Sequence, residues 1–278
     1  MKKQYAIKKI NSETFEIIDK SVGSNKVMTY LLLGEKRALL IDSGYGGLNL
    51  PTIIRDITSL PVTCVCTHGH VDHAMGAYMF EESYLHSADS ELFKEHSKPE
   101  YFRKMAYNKR GQIVSQDAYP SEYVAFVEKL ANEKRPCPKA LEEVEYFDLG
   151  GRKVEWFHIP GHTQGSVALF DDKYKLLFDA DACGKGVWLF LPESSPLKTY
   201  RKDLSKYYEY ALSKGSPKRY VGHMTIPLKT KDIKKLLDCV DVAIEGKKVP
   251  HHIVLGIGEA DILFAKGGIM FYDKNRIG

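Results

Sequence analysis

Hydrophobic and polar positions along the chain fall into two successive strand-rich series. In the first, apolar residues alternate or run together over Tyr5–Ile10, Thr14–Ile18, Val27–Leu33 and Ala38–Asp42. Val62–Thr67 continues it with mostly β-branched side chains, which suit a pleated surface. Helical spacing of apolar residues predicts helices at Leu48–Ser59 and Ala74–Phe80. Further helices are expected at Ser121–Glu133, Lys198–Lys214 and Lys231–Glu245, with Thr230 as N-cap of the last. The second strand series covers Lys153–Ile159, Val167–Phe170, Lys175–Phe178 and Arg219–Val221. The tail, "HHIVLGIGEADILFAKGGIMFY", reads as short strands divided by glycine turns.

The two series share an internal likeness. "LLLGEKRALLIDSG" (31–44) and "ALFDDKYKLLFDAD" (168–181) align without a gap, matching at Leu32/Leu169, Lys36/Lys173, Leu39/Leu176, Leu40/Leu177 and Asp42/Asp179. Each reads as strand, charged turn, strand and a closing aspartate. Duplication and shared hairpin chemistry both account for this. Under duplication the chain is two β-rich halves facing each other, with helices outside. Between them, about 94–139 is rich in charge and in aromatics (Tyr101, Phe102, Tyr107, Tyr119, Tyr123, Phe126) and closes with "KRPCPK". It reads as a helical insertion, either a solvated surface excursion or a cap over a substrate pocket. Its aromatics would also serve a homodimer contact.

Composition narrows the class. Of 278 residues, 44% are hydrophobic and 27% charged, as in a soluble globular protein long enough for a sizeable core. Forty basic against thirty-six acidic side chains leave +4, too small an excess for a nucleic-acid binder. No apolar run has signal-peptide length or approaches the ~18 residues of a membrane span. Five cysteines (Cys64, Cys66, Cys137, Cys183, Cys239) form no disulfide framework, so a reduced, cytoplasmic protein is expected.

The chemistry concentrates in "THGHVDHAMG" (67–76), where His68, His70, Asp72 and His73 fall within six positions. His68 and His70 share a side of an extended segment, and the chain must turn for Asp72 and His73 to reach a neighbouring point. Histidine with carboxylate, without paired thiolates, suits catalytic zinc, iron or manganese rather than structural zinc. Four ligands are too few for two ions. The remaining candidates each follow an apolar run: His162 in "PGHTQGS", Asp179 and Asp181 in "LLFDADAC", and His223 in "RYVGHM".

Together these stretches resemble the metallo-β-lactamase-fold hydrolase superfamily, which includes glyoxalase II enzymes, lactonases, β-lactamases and RNA-processing nucleases. Its H-x-H-x-D-H motif is matched by His68, His70, Asp72 and His73, its G-H-T-x-G-S element by "PGHTQGS", its bridging aspartate by Asp181 and its final G-H by His223. "VMTYLLLGEKRALLIDSG" resembles the family's first hairpin. The resemblance implies an α/β fold, an αββα four-layer sandwich of two facing sheets with outer helices, as a single hydrolase domain over 1–278. It implies two divalent metal ions, zinc first, with iron or manganese as alternatives. One would sit on His68, His70 and His162, the other on Asp72, His73 and His223, with Asp181 bridging. Such a pair, ~3.5–4 Å apart, lowers the pKa of bound water to about 7 and so supplies hydroxide at neutral pH. Asp72 would add catalytic proton transfer.

Other candidates carry structural alternatives. Asp42 and Asp179 either end strands or orient a ligand histidine. His158 is expected in the core or behind a ligand, and His86 in a structural role. His251, His252, Lys185 and Trp188 are substrate-contact candidates. Cys64 and Cys66 read as buried packing, with Cys183 a weaker ligand candidate.

His73 argues against lactamase branches with another residue type at that position. The leading expectation is hydrolysis of a small carboxyl derivative, such as a thioester, lactone or other ester, with a small-molecule substrate as partner. The alternative is a phosphodiesterase or nuclease, for which "SKGSPKRY" and "KTKDIKK" are the best basic patches, though both read as solvated helix ends. A diiron redox protein would replace a motif histidine with glutamate and carry a flavin domain. Neither feature is visible.

Overall fold

A computed structural model of the chain describes residues 4–21, 26–106, 120–255 and 257–278. The chain forms two compact units, Met1–Val154 and Glu155–Gly278.

In the first unit, β1 (Tyr5–Asn11), β2 (Thr14–Asp19), β3 (Val27–Leu33), β4 (Ala38–Ile41), β5 (Val62–Val65), β6 (Glu82–Leu85) and β7 (Lys139–Ala140) lie side by side in sequence order. Pairing is antiparallel through β4 and parallel from β4 to β7. Nearly all of β3 and β4 is buried, which explains their unbroken apolar runs. A last short strand, β8, covers Tyr146–Asp148. Helix α1 (Leu50–Arg55) starts where the Asn49 side chain accepts a hydrogen bond from Thr52 N–H at 3.2 Å. Cys64 and Cys66 pack with Leu31, Leu40, Ile53 and Ile54 in one core cluster, as their alternation predicts.

The helix expected over Ala74–Phe80 does not form. A four-residue helix, α2 (Val71–Ala74), is followed by a separate 3₁₀ turn at Ala77–Met79. Gly76 divides them by pressing on the backbone of Ser43, where a Cβ would come within 2.2 Å of the Ser43 carbonyl oxygen. The Met75 carbonyl accepts from the Arg135 guanidinium instead of a helical N–H. Apolar spacing there records burial of Ala74, Met75 and Ala77, not a helix.

Three helices follow, α3 (Ser90–His96), α4 (Pro99–Ala106) and α5 (Pro120–Asn132). They flank the centre of the expected insertion. Phe102, Val127, Leu130 and Ala131 belong to the first unit's core, and the Arg135 guanidinium lies over the Phe102 ring, 4.3 Å from its centroid. The flanks are thus part of the unit's packing, not a solvated excursion. Tyr107, Tyr119 and the Tyr123 side chain lie outside the described residues.

In the second unit, β9 (Lys153–His158) begins at the boundary. It is followed by β10 (Val167–Asp171), β11 (Leu176–Phe178), β12 (Val187–Leu189), β13 (Lys218–Val221), β14 (Met224–Lys229), β15 (His251–Leu255), β16 (Gly258–Ala265) and β17 (Gly268–Tyr272). One sheet runs in the order β14–β13–β11–β10–β9, another β12–β17–β16–β15. Helix α6 (Leu197–Ser213) buries Leu197, Tyr200, Leu204, Tyr207 and Ala211, a helical stripe. Helix α7 (Thr230–Ile244) buries Ile233, Leu236, Leu237 and Val240. Thr230 is its first residue, not its N-cap, since the Thr230 hydroxyl donates to the Pro217 carbonyl. The Asp232 carboxylate instead reaches back to the Lys229 N–H at 2.9 Å.

The two similar hairpins have the same local topology. In each, an antiparallel pair (β3–β4, β10–β11) is followed by a parallel neighbour (β5, β13). The aspartate after each hairpin donates its N–H to that neighbour: Asp42 to the Val65 carbonyl, Asp179 to the Tyr220 carbonyl. The registers differ, since Leu32 pairs with Leu39 but Leu169 pairs with Phe178 rather than Leu176. Among the described residues no helix is long and apolar enough to cross a membrane.

Candidate metal centre

The first unit's donors lie where β5 ends. Asp42, left-handed at φ 62°, turns its carboxylate toward the next strand end. There it accepts from Thr67 N–H at 2.7 Å and from the Thr67 hydroxyl at 2.9 Å. Its other oxygen lies 2.8 Å from His73 Nδ1, with both side chains buried. A carboxylate only accepts, so Nδ1 carries a proton, and in the neutral imidazole Nε2 then keeps the lone pair. The same logic extends to His68, whose Nδ1 is 3.1 Å from Thr67 Oγ1. With the single hydroxyl proton on Asp42, Nδ1–H donates and Nε2 is again the atom that could bind a metal ion.

Gly69 lets the motif close on α3. Its N–H donates to the Asp89 carboxylate at 2.8 Å, and a Cβ there would come within 3.0 Å of the Asp89 carbonyl. Ring centroids of His68 lie 4.8 Å from His70 and 4.2 Å from His73. His70 begins α2 and Asp72 sits in its first turn, with Asp72 Oδ2 3.8 Å from His73 Nε2. Behind His70 lies a stack that sequence reasoning missed. The His96 ring is parallel to His70 at 5.2 Å and to Tyr101 at 4.0 Å, and His96 Nδ1 accepts from Val71 N–H at 3.1 Å. Both residues fall in the stretch read as an insertion, and no motif singles them out.

In the second unit, His162 follows β9 through Pro160 and Gly161. Gly161 is needed because a Cβ there would meet the Tyr200 ring at 2.1 Å. His162 Nδ1–H donates to the Trp188 carbonyl at 2.8 Å, so Nε2 is the atom that could bind a metal ion. Thr163 and Ser166 close the loop hydroxyl to hydroxyl at 2.8 Å, which accounts for both positions in "PGHTQGS". Asp181 Oδ2 lies 3.1 Å from His223 Nε2 and 3.9 Å from His162 Nε2. These three donors converge within their unit, as the first four do within theirs.

The remaining candidates sort differently. Asp42 orients a histidine, whereas Asp179 makes a fully buried ion pair with Arg219 at 2.6 Å. Burial by itself would lower the Arg219 pKa, but Asp179 and Cys183 hold it above its ordinary value. Cys183 belongs to this cluster, its sulfur 3.2 Å from Asp179 and 2.7 Å from Arg219, and burial pushes its thiol well above the ordinary range. His158 is exposed and donates to the Gln164 carbonyl, so it is neither core nor behind a ligand. Its strand ends there, and the side chain turns onto the backbone of the His162 loop. His86 accepts from Ala88 N–H, a structural role. His251 and His252 are exposed on β15, with His252 3.4 Å from Asp261. Trp188 contributes its carbonyl, while its ring lies beside Phe190 and Phe271. Lys185 lines a small cavity of about 170 Å³ with Asp232 and Lys235. The basic stretches lie at the end of α6 and the start of α7, as expected, and Lys218 and Lys229 are also cross-strand partners on β13 and β14.

The family description "Metallo-beta-lactamase superfamily" matches residues 23–247 of this chain. The chain belongs to the metallo-beta-lactamase superfamily. It is a hydrolase of that superfamily, with its α/β fold. The acyl-coenzyme A thioesterase MBLAC2 of Gallus gallus is 29% identical over 202 residues, covering 69% of this chain and 70% of that one. Hydroxyacylglutathione hydrolase GloC of Haemophilus influenzae is 24% identical over 156 residues, covering 55% and 64%. A solved metallo-beta-lactamase from Pontibacter korlensis superposes with a TM-score of 0.57 at 18% identity, covering 86% of this chain and 99% of that one. The superfamily's fold implies divalent metal ions, and the donor chemistry fits them. Three imidazoles have Nδ1 engaged by an oxygen partner, the arrangement that orients a histidine toward a metal through Nε2, and carboxylates lie beside two of the histidine sets.

Proposed function

We propose that this metallo-beta-lactamase superfamily member hydrolyses small thioesters as one catalytic domain holding two divalent ions, zinc in the first instance. One ion would be held by His68, His70 and His162, the other by Asp72, His73 and His223, with Asp181 shared. The seven-residue set is drawn from the motifs and their order in the chain. The observation that carries it is the Nδ1 engagement of His68, His73 and His162, which fixes each ring with Nε2 as donor. Iron and manganese accept the same donors. Acyl-coenzyme A and hydroxyacylglutathione, the substrates in the names of the two relatives, are both thioesters, which supports this class within the carboxyl derivatives.

When bound, the ions supply Lewis acidity that ionises water near neutral pH and polarises the scissile carbonyl. The chain's own residues do the rest. Asp42 and Trp188 hold His73 and His162 in one tautomer. Asp72, part-exposed in the first turn of α2, is the group to take a proton from the attacking water and return it to the leaving thiolate.

Initial rates on a thioester, a lactone and an activated phosphodiester, before and after chelation, test this reading. Chelator-sensitive turnover led by the thioester is expected. Turnover led by the phosphodiester overturns it in favour of the second reading, a phosphodiesterase. Lys218, Lys229 and Lys231, which line a surface groove of about 380 Å³, are the cations that alternative would use for a phosphate backbone.

A further inference from the structure

The loop from Asp179 to Cys183 carries Asp181, and the second unit's interior grips it on both sides of that residue. Ahead of it, Asp179 Oδ2 accepts from Arg219 Nε at 2.6 Å and from the Tyr207 hydroxyl at 2.8 Å. Beyond it, Arg219 Nη2 donates to the Cys183 carbonyl at 2.6 Å and contacts its sulfur at 2.7 Å, while the Tyr200 hydroxyl donates to the Ala182 carbonyl at 2.8 Å. One guanidinium therefore bridges the two ends of a five-residue loop. Arg219, Asp179, Tyr200 and Tyr207 are wholly buried, and Asp181 is the loop's part-exposed member. Ala180, immediately before it, has a left-handed backbone at φ 38°. A non-glycine residue stays there only when its surroundings over-determine the conformation.

Packing alone does not explain so many polar groups. A buried ion pair seldom repays its desolvation, and apolar side chains of similar volume would fill the space as stably. What they would not do is fix both ends of the loop by directional bonds.

We propose that Arg219, anchored by Asp179, is a positioning residue for Asp181, locking the loop in the one conformation that presents Asp181 Oδ2 to His162 and His223. The proposal rests on the reading above that Asp181 is a metal ligand.

The test compares metal binding with folding in the full chain. Each variant is stripped of metal and titrated with Co(II), following the visible absorption spectrum. Zn(II) per chain is measured after dialysis, and thermal unfolding of the metal-free form reports the fold. Asp181→Asn sets the reference for loss of that ligand. The double variant Asp179→Leu/Arg219→Met removes both charges together, so neither charge is left buried alone, although the Tyr207 hydroxyl and the Cys183 carbonyl lose their partners. It is expected to stay folded at a lowered melting temperature and to match Asp181→Asn in zinc content and Co(II) spectrum. Arg219→Lys keeps the charge opposite Asp179 but cannot also reach the Cys183 carbonyl, so its Co(II) affinity is expected to fall at least tenfold at near-parental melting temperature. Parental metal content and spectrum in the double variant overturn the proposal. If that variant does not fold, parental Co(II) affinity in Arg219→Lys overturns it. Parental metal binding by Asp181→Asn removes the ligand reading itself, and the proposal with it.

Discussion

Asp42 Oδ2 sits 2.8 Å from His73 Nδ1 with both side chains shut away from solvent, and the other Asp42 oxygen holds Thr67. One carboxylate thus fixes both ends of the histidine motif. Asp42→Asn keeps the shape but offers His73 a weaker acceptor and a competing donor. Metal affinity should fall about 10–100-fold, as for other partners that orient a ligand histidine. Competition with a chromophoric chelator measures this, and parental affinity would show that Asp42 merely ends its strand.

His70 opens α2, and its ring lies against His96 rather than in the main apolar cluster. His70→Ala should abolish metal-dependent turnover while circular dichroism keeps the parental spectrum. Retained turnover in that variant would sink the ligand assignment.

His96→Phe keeps an aromatic ring against His70 but strips the Val71 N–H of its acceptor. A stability loss of about 1 kcal/mol is expected from the missing hydrogen bond. Urea titration gives the value. His96→Ala should lose more, having neither ring nor acceptor.

Glu16 in β2 is wholly buried, and among the described residues no donor lies within 3.5 Å of either carboxylate oxygen. The half-exposed Lys8 ammonium approaches no nearer than 3.7 Å. Burial raises its pKa above the ordinary 4.5, with Lys8 opposing. A raised acid pKa means the fold favours the protonated form, so the penalty is absent below 4.5 and grows as pH rises above it. Glu16→Gln should therefore raise the melting temperature at pH 7.5 and leave it nearly unchanged at pH 4. An equal shift at both pH values would contradict this.

Much of the candidate site was legible because its donors are conspicuous side-chain types. His68, His70, Asp72 and His73 are conspicuous as a run, and His162, Asp181 and His223 each follow a strand. Partners that act through the backbone leave no such mark. The Trp188 carbonyl holds His162, yet any residue has a carbonyl, and the sequence drew attention to the indole instead. Arg219 lies 40 positions from Asp179, in a stretch that reads only as a short strand. Strand β14 was missed because Pro227 interrupts "MTIPLK", but β14 is the last strand of its sheet, where a missing N–H costs nothing. Strand β12, at three residues, is too short to show alternation.

The two hairpins place Asp42 and Asp179 at the same station, yet one carboxylate serves an imidazole and the other a guanidinium. Inheritance at the two stations should therefore follow different partners. Across descendants of a common ancestor, position 42 should co-vary with 73, and position 179 with 219 and 183. A sister lineage lacking arginine at 219 should have let the aspartate at 179 go as well, while keeping the one at 42.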